Sequence, residues 1–238
     1  MRSTFFMLLL VLPMTAFSQF KIKDIGKNVK DNLQGKQPLT ESEVVAGLKE
    51  ALEVGSRNAA GSASKTDGYF GNTLIKIPFP PEAHSMETKL RSLGMNKQVD
   101  EFILTVNRAA EEAAKEAAPV FVNAITSMTV TDGFNILRGS DTAATQYLRQ
   151  KTSNELQQKF TPIIRAAIEK VQVTSYWNPL VTKYNKIPLV EPVNPNLEEY
   201  ITQRALSGLF TLVAQEETKI RKDPAARVTD LLKKVFGS

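Results

Sequence analysis

Apolar residues recur at spacings of three and four along most of the chain, and period-two alternation is nearly missing. Val44, Val45, Leu48, Ala51, Leu52 and Val54 mark a helix ending at about Ala60, and Thr40-Glu41-Ser42-Glu43 before it fits a capping box. A second helix covers Glu82 to Leu93 and stops at Gly94. Asn96 is placed to cap a third, with Val99, Ile103, Val106, Ala110, Ala113 and Ala117 as its stripe. Pro119 is expected to kink or end it, with Val120 to Met128 continuing in a new direction. Thr131 to Leu137 reads as a short helix closed by Gly139, and Ser140 or Asp141 as the cap of the next. Thr152 and Glu155 read as a further capping box, opening a helix that Thr161-Pro162 kinks or restarts. After Asn196 comes the widest apolar face, with Ile201, Ala205, Leu206, Leu209, Phe210, Leu212 and Val213. That helix belongs at the centre of the fold, and Gly208 on it is expected to admit another helix closely. Asp223-Pro224 starts a last amphipathic helix through Val228, Leu231, Leu232, Val235 and Phe236. The pattern predicts an all-α, multi-helix bundle.

Two stretches interrupt it. Three prolines forbid helix in much of "SASKTDGYFGNTLIKIPFPPEAH", which predicts an aromatic, proline-rich connector near residues 62–81 with a short extended piece at "NTLIKIP". Asp67-Gly68 and Gly71-Asn72 are turn formers. Tyr69 and Phe70 between them either plug the end of the bundle or line a mouth for an apolar or carbohydrate ligand. Asp67, Tyr69 and Asn72 are the candidate ligand-binding residues of this stretch. "NKIPLVEPVNPN" is a proline-rich crossover.

The N-terminus has a different character. Arg2, the apolar run Phe5 to Leu12 and Ala16-Phe17-Ser18 have the layout of a signal peptide cut before Gln19. The apolar run is roughly half of the ~20 residues that span a bilayer. The expected organisation is a signal peptide over 1–18, a basic flexible or loosely docked arm over 19–38, and one helical domain over 39–238. The mature chain is expected in the periplasm or outside the cell, with no transmembrane segment. Its lack of cysteine excludes disulfides and thiolate metal sites, so a packed core must supply its stability.

Charge narrows the partners only slightly. The formal net charge of +5 falls by one when Arg2 leaves, a mild value carried by lysines in the arm and near the C-terminus. Weak attraction to an anionic envelope lipid or polymer fits it, whereas nucleic acid does not: no basic strand pattern interleaved with aromatics is present. His84 is the sole histidine and reads as a surface residue in the first turn of a helix. With no D-x-D-x-D-G loop, H-E-x-x-H, G-x-S-x-G or phosphate-binding glycine loop, no metal, cofactor or catalytic residue is assigned.

Polar clusters remain. In "NRAAEEAAKEAAP", Arg108 lies at helical spacing from Glu111 and Glu112, which suits a solvated salt-bridged face. The alternative is that Asn107, Arg108 and Glu111 converge on a cleft, where Glu111 would be the carboxylate of a hydrolase or lyase acting on an envelope polymer. Arg221 follows Glu217 by four and Arg227 precedes Asp230 by three, a pattern that ties the two C-terminal helices or binds a ligand through the arginine pair.

"DGYFGNTLIKIPFPP", "NRAAEEAAKEAAPVFVNAITSMTVTDGFNILRG", "AATQYLRQKT" and "EETKIRKDPAARVTDLLKKVFG" resemble, in order, a bacterial exported family known only as domain of unknown function 4197. The likeness covers nearly all of Leu39 to Gly237. It implies an all-helical envelope protein and carries over no activity, substrate or catalytic residue. Relatives can look like lipoproteins, whereas no cysteine stands at the cleavage point here, which argues against a lipid anchor. The reading that follows is a non-catalytic exported protein binding an envelope component or small amphipathic ligand. The alternatives are a carboxylate enzyme, or an assembly protein acting through its C-terminal helix.

Overall fold

The computed structural model describes residues 40–170, 177, 181–182, 185–186, 188–189, 192–194 and 196–222. The expected signal peptide, basic arm and C-terminal helix, with Arg227, lie outside the described residues. Within these limits the protein is all-α: α1 (Glu41–Ser64), a 3-10 turn (Pro81–Ala83), α2 (His84–Ser92), α3 (Asn96–Ala114), α4 (Ala117–Thr126), α5 (Val130–Arg138), α6 (Ala143–Ile168) and α7 (Leu197–Lys222).

Local chemistry explains most boundaries. Thr40 and Glu43 form the expected capping box, each side chain receiving the other's backbone N–H. α1 runs past Ala60 to Ser64 because Ala59, Ala60 and Ala63 continue its buried stripe, so the connector opens at Lys65. α2 stops before Gly94, which has φ of +81°. Asn96 is the first residue of α3 and makes no capping bond; Met95 precedes it without one. Pro119 lies in the first turn of α4, and the break falls at Lys115–Glu116, where the proline ring would clash with the carbonyl four residues back. Thr129 and Asp132 form a capping box on α5. Thr152 does not open a helix: its hydroxyl donates to the Leu148 carbonyl at 2.6 Å, and α6 passes through it and through Pro162. Asn196 caps α7 as expected, accepting from the amide of Glu199 at 3.0 Å.

One core joins these helices. α7 packs against α1, α3 and α6, the central place its wide apolar face requires. Tyr69, Phe102, Phe121, Phe160 and Phe210 are its largest fully buried side chains. Phe79 from the connector meets Phe102 and Trp177 edge-on at centroid distances of 5.3 and 5.8 Å. The connector therefore belongs to the core. Gly208 receives this connector in place of a helix: a Cβ there would stand 2.8 Å from Tyr69 and 3.0 Å from Ile75.

Candidate functional site

The connector turns tightly after α1. Asp67 takes φ of +62°, a left-handed conformation that aspartate tolerates better than most residues. Gly68 follows where a Cβ would lie 2.4 Å from the Ala63 carbonyl oxygen, so no other residue fits. Asn72 accepts from the Leu74 amide at 3.1 Å, an Asx turn in place of the expected extended segment.

Glu111 of α3 fixes this turn. Its Oε1 accepts from the backbone N–H groups of Tyr69 and Phe70, both at 3.1 Å, and its Oε2 accepts from Arg108 at 2.6 Å. The other arm of Arg108 reaches Asp67 at 2.7 Å. Hydrogen bonds to Glu111 first, and then to Asp67, hold the Arg108 guanidinium above its ordinary value. One helical turn earlier, Asn107 accepts from the Ile77 amide at 2.8 Å and donates to the Ile77 carbonyl at 2.8 Å. Asn185 treats Val193 the same way, at 2.9 and 2.8 Å. Each asparagine thus gives an irregular segment the pair of bonds a neighbouring strand would supply. Tyr69 ends the series: its hydroxyl donates to the Ala205 carbonyl at 2.6 Å, and burial pushes the phenol far above its ordinary value.

The structure therefore gathers Asp67, Tyr69, Asn107, Arg108 and Glu111 into one cluster, with Asn72 in the same turn. Most of their polar atoms face one another. Glu111 is 4% exposed, which replaces the expected solvated face with an enclosed carboxylate. Phe70 lies under two cations, with Lys76 Nζ 4.1 Å and Arg108 Cζ 5.8 Å from its ring centroid.

A second enclosed carboxylate lies on α7. Glu217 accepts from the amides of Ala144 and Thr145 at 3.0 and 2.9 Å, from the Thr145 hydroxyl at 2.8 Å and from Arg221 at 3.0 Å. It caps α6 from outside, where Ser140 or Asp141 was expected to do so. Arg221 also donates to the Ile136 carbonyl at 2.9 Å, tying α7 to the end of α5.

Open space lies beside these clamps. A groove of about 710 Å³ runs between α3 and α6, with Thr105, Ala109, Pro162, Ile163, Ala166 and Ala167 along it. Glu101, Arg108, Glu112 and Lys170 stand at its edges. No residue of its α6 wall stands among the sequence candidates. His84 is a surface residue at the start of α2, as expected, with its side chain 81% exposed. Among the described residues no group of three or more His, Cys, Asp or Glu could hold a metal ion, and no helix is long and apolar enough to cross a membrane.

Fold and site together define a class: an all-α bundle in which a long aromatic connector is built into the core by buried side-chain clamps. The chain belongs to the family described as Protein of unknown function (DUF4197), whose model matches residues 38–237. No curated protein and no solved structure matches it.

Proposed function

We propose that this is an exported, non-catalytic binding protein that holds one single-chain amphiphile with a zwitterionic head in the groove between α3 and α6. The groove carries the reading. Its volume lies in the range of roughly 300–1,000 Å³ found for sites that take one small molecule. Its floor is mostly aliphatic. Arg108 is engaged by Glu111 and Asp67, and Glu112 by Lys115, which leaves Glu101 and Lys170 to balance each other, so a head of either net sign gains little. Roughly ten methylenes, half to fully buried, contribute about 4–8 kcal/mol, which corresponds to millimolar to micromolar dissociation constants. The enclosure of Glu111 supports a binding role over hydrolysis, since a general base must reach a substrate proton and both its oxygens already accept hydrogen bonds.

Titration with dodecylphosphocholine below its micelle concentration tests this. Saturable binding at one site is expected, with much weaker binding of dodecyl sulfate and dodecylammonium. Ala166 is exposed at the groove, so Ala166→Trp should fill it without disturbing the core and abolish binding. Binding that is unsaturable, indifferent to head charge or unaffected by Ala166→Trp would refute the reading.

A further inference from the structure

A second cavity, of about 430 Å³, opens where the connector turn meets α1 and α7. Ala59 and Leu212 form its apolar floor, and polar groups of α1, the turn and α7 make the remaining walls. The pairing among these groups decides what it would accept. Glu216 is satisfied by Lys219 at 2.5 Å and by Asn58 at 3.2 Å. Asp67 gives one oxygen to Arg108 at 2.7 Å and keeps the other. Lys65 makes no ion pair among the described residues, nor do the Asn72 amide nitrogen, the Ser62 and Thr73 hydroxyls or the Gln215 amide make hydrogen bonds there. What is left over is a positive charge at Lys65, a negative charge on the Asp67 side, where Asp67 and Glu111 share the one guanidinium of Arg108, and several donors and acceptors between them. An anionic group beside Lys65 and Asn72 and hydroxyls toward Asp67, Gln215 and Thr73 would complete the set.

From this we infer that the cavity is a binding site for a hydroxylated monocarboxylate, the chemistry of a sugar acid. Its wall is tied to α3 before any ligand arrives, because Glu111 holds the amides of Tyr69 and Phe70. Such preorganisation lowers the entropy lost on binding. The ligand would be either a free sugar acid or the end of an acidic polysaccharide.

Isothermal titration of the full chain with galacturonate, galactose and galactosamine separates charge from ring shape. Galacturonate should bind, and the neutral and cationic sugars at least about tenfold more weakly. Lys65→Ala, at an exposed position, should weaken galacturonate about tenfold or more with circular dichroism unchanged. Asn72→Asp keeps an oxygen for the Leu74 amide but replaces the donor with a charge, and should weaken it likewise. Trigalacturonate then distinguishes the sources: affinity equal to the monomer's indicates a free acid, and tighter binding indicates a polymer end. Ala166→Trp should leave all of this unchanged, so failure here and failure of the groove reading are separable. No binding of galacturonate or its trimer, equal binding of the three sugars, or full affinity in a folded Lys65→Ala protein would overturn the inference.

Discussion

Glu111→Ala isolates the clamp on which the connector depends. The substitution removes the acceptor of two backbone donors, the buried amide of Tyr69 and the part-buried amide of Phe70, and the partner of Arg108. Each hydrogen bond to a charged group is worth about 1.5–3 kcal/mol, and the buried donor also suffers uncompensated desolvation. Arg108 is 38% exposed, so solvent screens its share to about 1 kcal/mol or less. The expected loss is about 3–5 kcal/mol, a large part of the ~5–15 kcal/mol that holds a domain together. Glu111→Gln separates acceptor from charge. The amide oxygen can still take both N–H groups, while its NH₂ faces the guanidinium, so the loss should be about 1–2 kcal/mol. Urea unfolding followed by far-UV circular dichroism measures both. A Glu111→Ala protein within about 0.5 kcal/mol of the parent, or equal losses for Ala and Gln, would refute the assignment of Glu111 as a backbone clamp.

Four other expectations concern stability. Glu217→Ala should cost about 3–5 kcal/mol in urea unfolding, because it uncaps α6 and strips Arg221 of a buried partner. Gly208→Ala should lower the melting temperature, since overpacking against Tyr69 costs about 1–3 kcal/mol and exceeds the ~1 kcal/mol of helix propensity gained. Gly61→Ala, with nothing within 4 Å of the added carbon, should raise it. Tyr69 sets a limit at high pH: its folded pKa lies above the ordinary value of 10.0, so its stabilising contribution is complete below that pH and is lost as pH rises beyond it. Phenolate absorbance should therefore show one tyrosine ionising only with unfolding, and not in the Tyr69→Phe protein.

Helical periodicity made the bundle legible, because side-chain patterning is local and repeats every turn. The clamps were half visible. Glu111 sits among Ala110, Ala113 and Ala114, and Glu217 falls between Val213 and Ile220; a carboxylate on an apolar stripe is the signal that a buried donor awaits it. Which donor it finds depends on pairings 42 and 73 residues apart, which no local pattern encodes. Thr152 was misread for the related reason that a threonine satisfied by its own helix carries the same letters as a cap. The groove stayed hidden because it arises from the register of α3 against α6, where Ala109 and Ala166 leave the space that larger residues would fill.

The binding reading meets its most direct test in native mass spectrometry of the full chain recovered gently from cells. The account predicts a retained adduct with the mass of a single-chain zwitterionic amphiphile, present in the parent protein and missing from Ala166→Trp. The bare polypeptide mass in both proteins, or the same adduct in both, would contradict it.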